Sequence, residues 1–216
     1  MAALATLRPI SAGTGAISAG VGSAIFEMGN TRVLCALYGP HVDVRQEFSE
    51  RGRLACEVKI ASFARPGRSG VSAAADESAL AEELQTALAP AIQLEAYPKC
   101  SWQLCAFVIE DDGSALAALV SCGALALADA GVQMFDLVAA CSAACTPHGE
   151  VDVMPTAAQE LGAHGQLLLA KMASSGKASS LQASGLVPPE LFNDAYAAAD
   201  AGCAEIAKLM RSVLST

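Results

Sequence analysis

The chain has 216 residues, of which 53% are hydrophobic and only 16% are charged, and its net charge at pH 7 is −9. This much apolar material builds a sizeable core and excludes a disordered protein. The negative balance disfavours a free-standing nucleic-acid binder, whose surface is usually basic, but it leaves room for a local basic patch. No linker rich in Pro or charge marks a boundary. We therefore predict one domain over 1–216, with a core at 7–172 and a closing C-terminal helix at 186–215.

The cysteines and the N-terminus indicate a reduced environment. The first residues, MAALATLRPISAGTG, lack a basic start followed by an apolar block, so no secretion signal is predicted. Cys141, Cys145 and His148 offer possible ligand atoms, but no second pair follows at zinc spacing, so neither a metal nor another cofactor is predicted. Five further cysteines lie in apolar runs and are expected to be reduced and buried: Cys35, Cys56, Cys105, Cys122 and Cys203.

The N-terminal part of the chain predicts strands and then a helix. Residues 7–20 are rich in Gly, Ser and Ala and predict an edge strand with loops. Gly13-Thr14-Gly15 superficially resembles a phosphate loop, but the other residues of such a motif are absent from this segment. GSAIFEM and TRVLCALYGP flank Gly29-Asn30 and predict a hairpin. RLACEVKIASF alternates apolar and polar residues and predicts a third strand. Residues 76–95 place leucines at helical spacing, with acidic residues in the expected first turn.

The most informative segment follows a predicted strand at 102–109. Residues 115–128 contain no charge and no Pro, so they predict a helix that is buried on every side. Ser114 is expected to cap this helix through its hydroxyl, and Gly131 to end it in a left-handed conformation.

The C-terminal third predicts three more strands and a helix. The strands are expected at 137–144, 151–154 and 166–172, and the helix from Pro188 to Leu214, with Pro at its start. PTAAQELGAHG is expected to form a loop or a frayed turn, and 174–185 a hairpin tip. This order of strands and helices indicates a mixed α+β layer fold.

Four stretches carry a resemblance that covers nearly the whole chain from Leu7. They are Arg8-Pro9, GSAIFEMGNTRVLCALYGP, Tyr97-Pro98 and EDDGSALAALVSCGALALADAGVQMFDL, of which LALADAGVQMFDL is the most specific. In sequence and order they resemble the RNase PH family, and within it the ring subunits of RNA exosomes. The resemblance implies an RNase PH-like βαβα sandwich, also described as ribosomal protein S5 domain 2-like.

Active members of this family degrade RNA from its 3′ end with phosphate as the nucleophile. This reaction needs cations to hold the anions, and carboxylates for a metal ion or for proton transfer. The resemblance places the family's phosphate-binding Arg at Asp76, its Ser/Thr-Arg pair at Ser114 and Ala115, and its two aspartates at Ala158 and His164. Only Ser114 keeps the required residue type, and a shift of one or two positions would bring in only Glu160. We therefore predict no catalytic residue and no enzymatic activity.

The resemblance implies a non-catalytic, structural subunit of the hexameric exosome ring, which threads RNA to a separate nuclease during rRNA processing, RNA degradation and mRNA decay. The implied partners are other RNase PH-like ring subunits, an S1/KH cap subunit and RNA in the shared central channel, with no membrane. The implied location is the nucleus, including the nucleolus, and the cytoplasm. Candidate RNA-binding residues occupy two loops: Arg45, Arg51, Arg53, Arg65 and Arg68.

Two other functions compete with this interpretation. The first is an active phosphate-dependent 3′–5′ exoribonuclease, which would need a neighbouring subunit to supply both the missing arginines and the missing aspartates. The second is a small-molecule kinase of the same broad fold class. The kinase is disfavoured because no Gly-rich phosphate loop with a Lys is present, and because fold analogy alone is a weak argument.

Overall fold

The computed structural model of the chain describes residues 7–42, 51–65 and 72–215. Nine strands and four helices lie in the described part of the chain. The strands are Ile10–Thr14 (β1), Gly22–Met28 (β2), Thr31–Val42 (β3), Arg53–Ile60 (β4), Cys100–Glu110 (β5), Val138–Cys145 (β6), Val151–Val153 (β7), Gly165–Met172 (β8) and Ala178–Gly185 (β9). The helices are Ser72–Leu88 (α1), Ala115–Asp129 (α2), Ala157–Gly162 (α3) and Pro189–Leu214 (α4).

The elements form alternating layers of sheet and helix. One sheet has the strand order β1-β2-β3-β5-β4, and the other has the order β7-β6-β8-β9. Helices α1 and α2 lie between the two sheets, and α4 packs on β6 and β8. On β6, Ser142 bonds to Ser114 beside α2, whereas the adjacent Cys141 contacts Gly202 of α4, so the two helices cover opposite faces. This is the mixed α+β fold that the order of elements predicts, in the βαβα arrangement that the resemblance implies.

Helix α2 is the centre of the molecule. Every residue from Ala117 to Leu127 is buried, as its uncharged sequence predicts. Gly131 adopts a φ of 69°, and the amides of Gly131 and Val132 bond to the carbonyls of Ala128 and Leu127. This is a Schellman motif, so the predicted left-handed end of the helix is confirmed. No helix in the described part of the chain is long and apolar enough to cross a membrane.

The predicted hairpin is also confirmed and packs directly on α2. Strands β2 and β3 pair from Met28 opposite Thr31, and Gly29 between them has a φ of 59°. At the other end of β2, a methyl group added to Gly22 would lie 2.4 Å from the backbone nitrogen of Ala130. Only a glycine allows the sheet to approach the end of α2 this closely.

Helix α1 begins earlier than the leucine spacing predicts. It starts at Ser72, which places Asp76 in the second turn and leaves no acidic residue in the first. The prediction of acidic residues in the first turn is therefore wrong. The alanines before Asp76 have the highest intrinsic helix propensity, and they extend the helix upstream.

Two segments that were expected to be irregular form regular elements. The predicted loop PTAAQELGAHG contains helix α3, which opens with a capping box in which Thr156 and Gln159 each bond the other's backbone amide. The predicted hairpin tip at 174–185 contains β9, an edge strand that pairs antiparallel with β8. Pairing with β8 outweighs the weak strand propensity of the small polar residues in β9.

The eight cysteines are free thiols, but they are not all buried. Cys35, Cys122 and Cys203 are buried as expected, whereas Cys56 and Cys105 are only half-buried. Cys105 lies on the face of the first sheet that no described helix covers. Burial raises the pKa of the Cys56 thiol to about 12, so this side chain stays protonated and unreactive at neutral pH.

Candidate functional site

The candidate site is the turn that leads from β5 into α2, at residues 111–114. It faces a cavity of about 520 Å³, whose walls come from α1, α2, β6, α3, β8 and β9. The described lining residues include Arg65, Glu83, Asp111, Ser114 and Glu160. The turn is therefore open to a ligand-sized space.

Ser114 is held in an unusual conformation at the start of α2. It has a φ of 58° and is buried, and its hydroxyl donates to the carbonyl of Pro155 at 3.0 Å and accepts from the Ser142 hydroxyl at 2.7 Å. The prediction that this hydroxyl caps α2 is wrong, since the side chain makes no bond to a first-turn amide. The left-handed backbone directs the hydroxyl toward β6 and the segment before α3 instead.

Side chains of the same molecule satisfy three successive amides of the turn. The amide of Asp112 donates to the Thr31 hydroxyl at 3.0 Å, and the amide of Gly113 donates to the Asp111 carboxylate at 3.1 Å. The amide of Ser114 donates to Oε1 of Glu160 at 2.7 Å. The carboxylate of Glu160 therefore accepts a hydrogen bond from an amide at the positive end of the helix, a role that was predicted for the Ser114 hydroxyl.

Two described guanidinium groups lie beside the turn, and both are already paired. Arg8 bonds the Asp112 carboxylate at 2.8 Å and the Asp112 carbonyl at 3.1 Å. Arg65 bonds Asp111 at 2.5 Å and approaches Asp76 at 3.6 Å. These arginines hold acidic side chains of the chain itself, so neither of them faces the cavity as an unpaired cation.

The described walls of the cavity carry more acidic than basic side chains. Glu83, Asp111 and Glu160 place three carboxylates on its described walls, against the single guanidinium of Arg65. Burial raises the pKa of Glu160, although its bond to the Ser114 amide opposes this shift. Burial and the neighbouring charge of Glu82 raise the pKa of Glu83. In both groups the shift comes mainly from burial, which disfavours the charged form of the carboxyl.

The structure brings together some of the positions that the resemblance assigns to catalysis and separates others. Ser114 and Ala115 line the cavity, and Asp76 reaches its edge through Arg65. Ala158 and His164 are exposed and do not line it. The His164 side chain has no hydrogen-bond or ion-pair partner among the described residues, so nothing there would orient it as a general base.

The five candidate RNA-binding arginines do not form one described cluster. Arg45 and Arg68 lie outside the described residues. Arg51 and Arg53 are at the start of β4, where Arg51 pairs with Glu95 at 2.9 Å and Arg53 is exposed opposite Ser101 of β5. Arg65 lies beyond the other end of β4, about 25 Å away by strand geometry. Arg53 is the one of the three described arginines without an ion pair in the described part of the chain.

Glu160 is a residue of this site that the sequence pattern did not identify. It entered only as a residue that a shifted alignment would bring in, because the expected loop gave no reason to place it near Ser114. A local signal for its position was present in the sequence. The Thr156-x-x-Gln159 capping box predicts the start of a helix, and a helix fixes the direction of the Glu160 side chain that follows.

No group of three or more His, Cys, Asp or Glu residues in the described chain is arranged to hold a metal ion. Cys141 and Cys145 are both buried on β6, whereas His148 is exposed in the turn that follows. Burial raises the pKa of the Cys141 thiol to about 12, which disfavours the thiolate that a metal would need.

The layered fold of two sheets and their helices agrees with a comparison of the sequence with known protein families. A family model described as the 3′ exoribonuclease family, domain 1 (RNase PH) matches residues 6–133, so the chain belongs to the RNase PH family. Among its relatives, human exosome complex component MTR3 is 42% identical over 154 residues, which cover 65% of this chain and 57% of that protein. An RRP41-like exosome complex component of Arabidopsis thaliana is 32% identical over 208 residues, covering 96% and 80%.

Two solved structures share the fold. Rice (Oryza sativa) Rrp46 superimposes with a TM-score of 0.83 at 24% identity, covering 97% of this chain and 96% of that one. A chain of the Archaeoglobus fulgidus exosome with RNA bound to the active site gives a TM-score of 0.80 at 16% identity, covering 95% and 89%. The chain thus spans the length of these folds, but it matches little more than half of the human relative.

Proposed function

We propose that this chain is a structural ring subunit of an exosome-type complex and that it does not itself carry out phosphorolysis. The observation that carries the proposal is the charge of the cavity over the turn before α2. Among the described residues, three carboxylates and one paired arginine line it where phosphate and an RNA phosphodiester would have to bind. Losing electrostatic stabilisation of this kind typically costs orders of magnitude in rate.

The relatives support the ring role and its position. MTR3 proteins and RRP41-type proteins carry the name exosome complex component. We place this chain at an MTR3-type position because its highest identities among these relatives are to the human and mouse MTR3 proteins. Its neighbours would be other RNase PH-like chains, with an S1/KH protein as a cap.

RNA would pass this subunit through the shared channel on its way to a separate nuclease. Among the described arginines, Arg53 is the best candidate for contact with the RNA backbone, because it is exposed and carries no ion pair with described residues. The complex would act in the nucleus, including the nucleolus, and in the cytoplasm.

Affinity purification from the source cells tests this assignment. A tagged chain is expected to bring down other RNase PH-type subunits, an S1/KH protein and a processive 3′ nuclease in stable amounts. Arg53→Glu should leave this assembly intact while it weakens RNA crosslinking to the chain. Glu205→Arg, a charge reversal on the exposed surface of α4, serves as the matched control. Recovery of the chain without any RNase PH-type partner would contradict the proposal.

A further inference from the structure

We propose that Glu160 acts as a built-in anion, whose carboxylate occupies the N-terminal end of α2 and excludes small oxyanions such as inorganic phosphate. The amides at the start of a helix favour an anion because their N–H groups point outward and the helix dipole is positive there. At α2 the chain fills this position itself, through the 2.7 Å bond from the Ser114 amide to Oε1 of Glu160.

The segment that carries Glu160 is fixed to the same turn. The first amide of α3, that of Ala157, donates to the carbonyl of Asp112 at 3.0 Å. The capping box of Thr156 and Gln159 sets the direction of the helix, and Gln166 of β8 donates to the carbonyl of Glu160 at 3.4 Å. The carboxylate is therefore positioned by α3 and β8 together, and it is not a chance contact of a mobile side chain.

An incoming oxyanion would also find no available cation in the described part of the site. The amide of Gly113 is bonded to Asp111, and Arg65 is bonded to Asp111 and Asp76. Glu83 adds another carboxylate on the opposite wall. An anion could bond the Ser114 amide only by displacing Glu160, and the displaced carboxylate would remain nearby and repel the anion.

Glu160→Ala and Glu83→Ala form the matched pair that tests the proposal. Both remove one carboxylate from the same cavity, but only Glu160 bonds an amide of the turn. Inorganic phosphate is titrated into each folded protein at constant ionic strength, and binding is followed by calorimetry. We expect the wild type to reach half-saturation only above about 20 mM phosphate, and Glu160→Ala to reach it at an about tenfold lower concentration, in line with the strength of helix-terminus anion sites. Glu83→Ala should improve binding by less than about threefold, as expected for a screened, more distant charge.

The proposal is overturned if Glu160→Ala binds phosphate no more tightly than the wild type does, or if Glu83→Ala increases phosphate binding as much as Glu160→Ala does.

A second measurement does not depend on the folding of Glu160→Ala. In the wild type, the NMR signal of the Ser114 amide should shift with pH as Glu160 ionises, and in Glu160→Gln it should not. A Ser114 amide that is insensitive to this titration would equally overturn the proposal. The inference deepens the proposed lack of phosphorolysis, which release of nucleoside diphosphates from oligo(A) tests separately.

Discussion

At the scale of single residues, the turn before α2 places a helix N-terminus among carboxylates. Ser114 is buried, and its hydroxyl bonds Pro155 and Ser142. The amide that could meet a ligand is bonded to Glu160. The amide at the start of the helix is therefore already bonded, and further carboxylates lie on the described walls of the cavity.

Replacement of Glu160 by Gln should reveal the cost of this arrangement as a function of pH. Burial raises the pKa of Glu160 in the folded state above its ordinary value of 4.5. The folded state therefore holds the Glu160 proton more tightly than the unfolded state does. This preference stabilises the fold fully below pH 4.5, and the stabilisation is lost as the pH rises through the raised pKa of the folded state. Gln keeps an oxygen that can accept from the Ser114 amide but cannot ionise. We expect Glu160→Gln to be at least as stable as the wild type at neutral pH, with the advantage vanishing in acid.

Urea denaturation of both proteins at a series of pH values measures this difference. Glu150→Gln, at an exposed position in a turn, is the control and should follow the wild type throughout. A wild type that gains stability over Glu160→Gln as pH rises would show that the bond to the amide outweighs burial of the charge.

The residue-level predictions from sequence held where the cause is local and did not hold where it is distant. Gly131 ends α2 as predicted, because a left-handed residue after a helix is determined within one turn. The role of the Ser114 hydroxyl was not predictable, because its partners Ser142 and Pro155 lie 28 and 41 residues away in sequence. The assignment of Asp76 and Ala115 as lost catalytic positions stays a prediction.

At the scale of elements, the fold depends on how closely the first sheet approaches α2. A methyl group on Gly22 would lie 2.4 Å from the nitrogen of Ala130 and 2.5 Å from the carbonyl oxygen of Ala126, which are backbone atoms that cannot rotate away. We expect Gly22→Ala to lower the free energy of unfolding by about 3 kcal/mol, at the upper end for overpacking.

Chemical denaturation of Gly22→Ala against Gly162→Ala tests this packing. The methyl group added at Gly162, at the end of α3, meets open space, so that variant should change stability by less than about 0.5 kcal/mol. If Gly22→Ala unfolds at the wild-type midpoint, β2 does not seat against the end of α2 in solution.

Most elements could be predicted from the sequence because their periodicity is strong. The β2–β3 hairpin, α2 and α4 all follow from local patterns, and each begins within about two residues of its predicted position. Helix α3 was missed although Thr156-x-x-Gln159 is a recognisable helix start. Strand β9 carries no such signal, since Ser, Ala and Gln become a strand only through pairing with β8.

At the scale of the whole molecule, the described surface retains large apolar side chains that a monomer would leave in water. Phe63, Phe135 and Leu161 are 73%, 69% and 89% exposed. Exposed apolar groups of this size favour contact with other chains. We expect the isolated chain to associate non-specifically, and co-expression with an RNase PH-type partner to give a soluble complex of defined mass.

Light scattering of the chain with and without the partner measures this behaviour. A stable, monodisperse monomer that gains nothing from co-expression would count against a role as one subunit of a ring. Phe63→Ser and Phe135→Ser, made singly, should reduce association of the isolated chain. If one of these two variants also fails to bind the co-expressed RNase PH-type chain, the substituted Phe lies in the interface between the two chains.

Phosphate-dependent degradation of oligo(A) by the purified chain tests the central claim most directly. An RNase PH fold with an acidic cavity and an occupied α2 terminus should release no nucleoside diphosphates above a phosphate-free control. Wild type and Ser114→Ala should then be indistinguishable. Robust phosphate-dependent turnover by the wild-type chain alone, abolished by Ser114→Ala, would contradict the account.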